Sequence, residues 1–326
     1  MLSRTANGLF WMSRYIERAG NIARLLDAGR RMDSIPNSDQ GRASEWESIV
    51  IASGCRETFP HDLQSATMEQ VAEHLIFDPE NPSSIHCCLK AARENARAMR
   101  IAITREVWDV LNGAWSEMKR KDMRMVTGGK LAAFLEWVKE QGFLFTGAVE
   151  ASMLRDCGYS FIQLGQNIER ADATARLVDV KFHVLLPSAQ DVGGGLDHMQ
   201  WVQLLRAANS LRAFRWTYRE TVTPQAVVHF LVLNAASPRS LMCCYQQIVA
   251  SLHDIGGQTA LQDDARRQAE HLGTQLENAT VETIIAHGLH EWLTMMIEQT
   301  NALGMQIGDA YGFNGPEPMM QEMQAQ

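Results

Sequence analysis

The residues best suited to chemistry lie on one stripe of an otherwise apolar segment. Glu17 and Arg24 are seven residues apart, which on a helical wheel places them within about 20 degrees of each other and two turns apart. Asn21 lies between them and Asp27 flanks them. A later segment keeps the pattern as Glu169, Arg176 and Asp179, with Arg18 and Arg170 directly after the two glutamates. Such a seam supports two chemistries. It can be an ion-pair network that fixes helix register, because charges removed from water must be paired. It can also be a site in which a carboxylate serves as acid or base or holds a substrate amine, while arginine holds a carboxylate. On that second reading the catalytic candidates are Glu17, Arg18, Glu169 and Arg170, and the substrate-binding candidates are Arg24, Arg176 and Asn21.

Other site chemistries find little support. A di-metal centre of the helical-bundle type needs Glu-x-x-His, and none of the 10 histidines has Glu three residues before it. His287 and His290, followed by Glu291, would share a face one turn apart, but the order of a zinc protease is missing, so a capping or core pair fits better. Cys87-Cys88 and Cys243-Cys244 point about 100 degrees apart on a helix, so one of each pair should pack inward. Gly128-Gly129-Lys130 has Arg124 where a phosphate loop requires Gly, and Gly193 to Gly195 has no strand before it. No Gly-x-Ser-x-Gly elbow occurs. The expectation is therefore no cofactor and no metal.

The elements that must carry the seam are helices. Leu9, Met12, Ile16, Ala19, Ala23 and Leu26 step by three and four, and Trp11, Tyr15, Ile22 and Leu25 are apolar on a second face. A helix apolar on most sides belongs at the centre of a fold, as does its counterpart near 159–185. IERAGNIARLLD at 16–27 and IERADATARLVD at 168–179 agree at eight of twelve positions, at an offset of 152. VAEHLIFD at 71–78 pairs with VVHFLVLN at 227–234, and PSSIHCCL at 82–89 with PRSLMCCY at 238–245, both at offset 156. Trp46 and Trp201 pair at offset 155. Register kept through four matches argues for one unit of about 155 residues present twice. The sequence thus predicts an all-α helical bundle of two duplicated units related by a pseudo-twofold: 1–155, 156–312, and a frayed tail at 313–326. Helix starts are expected at Thr223-Pro224, at Ser237-Pro238 and at Ser83 or Ser84, the last opening a long run through AARENARAMRIAITREVWDVLN. Loops are expected at 35–42, 79–82, 186–197 and 256–258.

Composition narrows the classes further. The chain has 326 residues, 46% of them hydrophobic and 21% charged, which is ordinary for a globular protein, and the length suggests about two domains. A net charge of -8 without a long basic run argues against a nucleic-acid binder. The most apolar stretches are broken by His229 and Asn234 or by Glu150, well short of the ~18 clean residues of a membrane span. Arg4, Arg14 and Arg18 interrupt the N-terminal stretch where a signal peptide would be apolar. Six cysteines, four in adjacent pairs, suit reduced core thiols, so the cytoplasm is the expected compartment.

Together GLFWMSRYIERAGNIARLLD, WESIVIASG, NPSSIHCCLKAARENARAMR, EVWDVLN and MLRDCGYSFIQLGQNIERADATARLVDVKFH resemble the bacterial alpha-E family, and the likeness continues through VETIIAHGLHEWLTMMIEQTNALGMQIGDAYG. The family is all-helical. Its members accompany circularly permuted ATP-grasp ligases and transglutaminase-like proteins, sometimes as fusions, so the resemblance implies those partners and the making or modification of amide bonds on peptides or small amino compounds. The family's Glu-Arg pair maps onto Glu17 and Arg18 and again onto Glu169 and Arg170. Gln166 and Asn167 depart from it, standing where basic and aromatic residues are usual. Two functions follow from the resemblance: a helical partner that positions substrate for the ligase, or an amide-processing enzyme using the seam. A purely structural assembly protein is a third.

Overall fold

A computed structural model describes residues 1–35, 45–125, 127, 129–183, 194–219 and 221–313. These residues are helical with no strand among them. The first helix, α1 (Ser3–Asp33), is buried along nearly its whole length, as its two apolar faces require. Around it α4 (Ile85–Ala98), α5 (Arg105–Met118) and α6 (Leu131–Ser152) close a ring in which α1 touches α4 and α6, and α5 spans those two. A second ring has the same plan: α7 (Cys157–His183) touches α11 (Leu241–Ile255) and α14 (Leu289–Ala310), and α12 (Ala260–Asn278) spans them. The rings meet where α1 packs on α7. Two shorter helices, α2 (Glu45–Ala52) and α8 (Gly195–Ala207), each lean on both central helices.

Gly165 allows α1 and α7 to come so close. A Cβ there would lie 2.3 Å from the Phe10 carbonyl oxygen and 2.4 Å from Ser13 Oγ. No side chain larger than hydrogen fits at that crossing.

Local devices recur at an offset of 156 residues. Thr67 caps α3 (Met68–Ala72) and Thr223 caps α10 (Pro224–Val228), each through Oγ1 accepting a backbone N–H three residues on. Each short helix runs into a π turn, where Asp78 N donates to Glu73 O and Asn234 N to His229 O. Ser84 then caps α4 through Cys87 N, and Ser240 caps α11 through Cys243 N. Cys88 and Cys244 pack inward while Cys87 and Cys243 stay half-buried.

Several expectations shift. The helix expected from Ser237 starts at Leu241, because Ser240 provides the cap and Ser237 N closes the preceding turn onto Asn234 O. The long run after Ser84 is two helices, since Thr104 Oγ1 accepts from Val107 N and begins α5, with Ile101 fully exposed in the break. His287 and His290 do not share a helix. Gly288, at φ +98, separates α13 (Val281–His287) from α14, leaving His287 exposed while His290 Nδ1 bonds Asp179 Oδ1 at 2.7 Å. Residues 195–197, expected in a loop, open α8. The loops at 36–42 and 186–193, Gly128, Gly193 and the tail from 314 lie outside the described residues. Phe313, expected to fray, is buried against Phe10, Phe161 and Tyr311.

Candidate functional site

At the α1–α7 crossing the two Glu-Arg dipeptides exchange partners. Arg18 donates to Glu169 from Nε at 2.5 Å and from Nη2 at 2.9 Å, and Arg170 donates to Glu17 from Nε at 3.2 Å and from Nη2 at 2.9 Å. Each is a two-pronged guanidinium–carboxylate pair, the strongest polar contact side chains make. The pairing expected within each seam, Glu17 with Arg24 and Glu169 with Arg176, does not form. Seven residues rise about 10.5 Å along a helix, too far for a direct bond, so the carboxylates reach across to the facing helix instead.

Further arginines complete each node from different places. Arg14 Nε donates to Glu169 Oε2 at 2.8 Å, and its guanidinium stacks on the Trp11 ring with its centre 4.6 Å from the ring centroid. Gln166, at the equivalent position of α7, gives Glu17 Oε2 only an amide N–H at 3.3 Å. The charge missing there comes from Arg239, in the turn before α11, whose Nη2 donates to Glu17 Oε1 at 3.2 Å. Both glutamates are buried. Burial alone would raise their pKa values. Arg170 and Arg239 outweigh it for Glu17, holding that carboxyl far below the usual range, and Arg18 and Arg14 hold Glu169 at about 2. Glu17 accepts four hydrogen bonds and Glu169 three.

The two carboxylates are equally buried, but the space beside them differs. Glu169 lines a cleft of about 100 Å³ together with Arg14, Arg18, Asn21, Arg176 and Asn301. Ser53, Gly54 and Ser83 form its opposite wall. Within it Arg176 Nε donates to Asp172 Oδ2 at 2.8 Å, one turn back on the same helix, leaving the outer nitrogens toward the cleft. Glu17 instead meets a narrow cavity of about 30 Å³ shared with Arg24, Thr146, Arg170 and Arg239. Asn21 lies between the nodes: its Nδ2 approaches Glu169 O at 3.5 Å and its Oδ1 accepts from Arg239 Nη1 at 3.4 Å.

The remaining seam residues go elsewhere. Asp27 takes Arg30, Arg31 and the buried Lys139, and Asp179 takes His290. The wheel found Glu17, Arg18, Glu169 and Arg170, which the structure brings together, but it missed Arg14, Gln166 and Arg239. The alignment of PSSIHCCL with PRSLMCCY carried the signal for the last, because it sets Arg239 opposite Ser83.

A helical protein whose two central helices are clasped by reciprocal Glu-Arg pairs is defined as a class by that clasp. The chain belongs to the Alpha-E family, described as a predicted alpha-helical domain with a conserved ER motif, which it matches over residues 1–311. Uncharacterized proteins of Mycobacterium bovis and Mycobacterium tuberculosis are similar to it, at 24% identity over 327 residues, covering 94% of this chain and 36% of each relative. The chain therefore spans about a third of the length of these relatives. No solved structure matches it. Among the described residues no helix is long and apolar enough to cross a membrane.

Proposed function

We propose that the protein is a cytoplasmic, non-catalytic helical partner that positions a peptide or small amino compound for an ATP-grasp amide ligase. The observation that carries this reading is the saturation of Glu17 and Glu169. A general acid or base must exchange a proton near neutral pH. Carboxylates buried under two guanidinium groups each, with pKa values at about 2 or below the usual range, stay ionised and stay engaged. The clasp is then scaffold, and the binding surface is the cleft beside it.

That cleft has room for a side-chain-sized group and offers Arg176, Asn301, Ser53 and Ser83 around a net positive charge, three arginines against Glu169 and Asp172. A carboxylate-bearing segment suits it. Amide formation needs an activated carboxyl group. ATP supplies that activation in the ligase, so this body need only hold the acceptor and exclude water. The greater length of the relatives accords with a domain that works beside others, as does a transglutaminase-like protein in the same pathway. Two units of about 155 residues, arising by duplication, would explain the repeated caps and π turns and the paired clasps related by a pseudo-twofold.

The test adds the purified protein to the ligase and follows ATP turnover and ligated product. Output should rise with the wild type and fall with Arg176→Gln, which leaves both clasps whole. A ligase indifferent to the protein overturns the reading. Product formed with Arg176→Gln but lost with a correctly folded Glu169→Gln would favour the enzyme reading instead.

A further inference from the structure

Arg24 is a buried guanidinium for which no acceptor is found among the described residues. It is 4% exposed, its Nε has no hydrogen-bond partner, and no described carboxylate lies within ion-pair distance. Its counterpart Arg176 is paired, because Asp172 stands four residues before it. Four residues before Arg24 stands Gly20, and a Cβ there would lie 3.0 Å from Arg24 Nη1. The chain has a hydrogen atom where the other helix has a counter-ion.

The surroundings make the deficit worse. Arg239 and Arg170 are the nearby cations, and Glu17, the acid between them, is fully used. Glu136, the next acid, is held by Lys139 Nζ at 2.5 Å. Three guanidinium groups therefore share one carboxylate, Arg24 buried and Arg170 and Arg239 half-buried around it. Arginine cannot shed its proton under ordinary conditions, and an unpaired buried charge costs several kcal/mol, so the physical remedy is an anion from solution. Burial and the neighbouring arginines also press the Arg24 pKa well below its ordinary value, which reports the same absence of a partner.

Two cavities meet Arg24. One is the space of about 30 Å³ at Glu17, walled by Arg170, Arg239 and Thr146, and the other, about 10 Å³, is walled by Asn21, Thr174, Leu231 and Arg239. A single water needs ~10–15 Å³ of such space. The first cavity thus admits two or three water-sized particles and the second at most one, too little space for a phosphate ester or nucleotide.

We propose that Arg24 and Arg239 form a binding site for a small monovalent anion, a halide or the carboxylate of a one-carbon acid, that stands in for the aspartate missing at Gly20. This site lies across Asn21 and Ala173 from the Glu169 cleft and does not depend on the ligase reading.

The test uses the purified full chain at constant ionic strength, with gluconate, which is too large for the cavity, exchanged for chloride in one series and formate in another. The melting temperature should climb saturably with chloride or formate but not with gluconate, and whichever small ion acts at lower concentration identifies the source. Excess chloride-35 line broadening should report chloride binding directly. Gly20→Asp supplies the missing carboxylate in otherwise open space, and Arg24→Met removes the charge. In both, apparent affinity for the small anion should fall about 10- to 100-fold, the value of a charge-assisted hydrogen bond. Equal response to all salts at matched ionic strength overturns the proposal. So does undiminished anion dependence in either variant that folds, and the wild-type titration decides the matter if neither does.

Discussion

Glu169 and Glu17 occupy the same place in two similar helices and each binds the arginine that follows the other, yet their surroundings diverge. Glu169 is held by two arginines from α1 and looks onto a cleft. Glu17 is held by one arginine from α7 and one from the turn before α11, and Arg239 occupies the side on which Ser83 leaves the other node open. The number of guanidinium groups per carboxylate is the same and their origin is not. A repeated motif can therefore keep its fold-holding bonds while residues outside it decide how much space opens beside each copy.

The largest expected effect separates the two carboxylates. Glu17→Gln removes the single acid among Arg24, Arg170 and Arg239 and leaves one buried and two half-buried guanidinium groups facing one another, so it should destabilise by about 3 kcal/mol. Glu169→Gln should cost less, because the arginines it frees border the cleft and Asp172 remains beside them. Urea denaturation measures both, and a larger loss from Glu169→Gln would break the comparison.

Next comes the crossing that both nodes share. Gly165→Ala places a methyl group 2.3 Å from the Phe10 oxygen, so the helices must part, and overpacking of this kind costs about 1–3 kcal/mol. Since each clasp spans α1 and α7, both should weaken together. A loss confined to one node, read as protection of its neighbouring amides from hydrogen exchange, would show that the rings hold their positions independently.

Much of this was legible in the sequence. The apolar wheel of α1 announced a central helix, and the repeated segment announced α7 as its companion, because periodicity reports which faces seek burial. Which side chain meets which carboxylate was not legible. A wheel fixes angle around one axis and says nothing of the crossing that brings Arg170 to Glu17. Arg239 lies 222 residues from its partner, and only the folded turn before α11 delivers it. Gly20 was visible as a mismatch with Asp172, but its meaning required knowing that Arg176 uses that aspartate and that Arg24 has nothing in its place.

Acid should sharpen the contrast. A carboxyl whose folded pKa is depressed contributes stability above its unfolded pKa, near 4.5, and that contribution disappears as pH falls through the folded value. For Glu169 the loss falls between about 4.5 and 2, and for Glu17, held lower still, it begins at the same pH and continues to more acid values. The slope of stability against pH in that window should be shallower in Glu169→Gln than in the wild type. An unchanged slope would mean that other carboxylates carry the acid transition.

The smallest net change should come from an exchange that turns one node into the other. Gln166→Arg alone adds a third guanidinium beside Arg170 and Arg239 and should destabilise through like-charge repulsion. Arg239→Ser alone leaves Glu17 with one arginine and an amide and should also destabilise. Combined, they give Glu17 the partners that Arg14 and Arg18 give Glu169, with serine where Ser83 stands, and each corrects the charge error of the other. The double-mutant cycle should show a favourable coupling within the 0.5–3 kcal/mol range typical of residues in one network, and the combined variant should regain most of the wild-type stability. It should also open space on the Glu17 side, measurable as greater access of a small arginine-modifying reagent to Arg170. Additive losses would mean that the Glu17 node requires Arg239 for more than its charge. The bond from Arg239 to Asn21 is the feature that would then explain it, because Asn21 also approaches the backbone of Glu169 and ties the closed node to the open one.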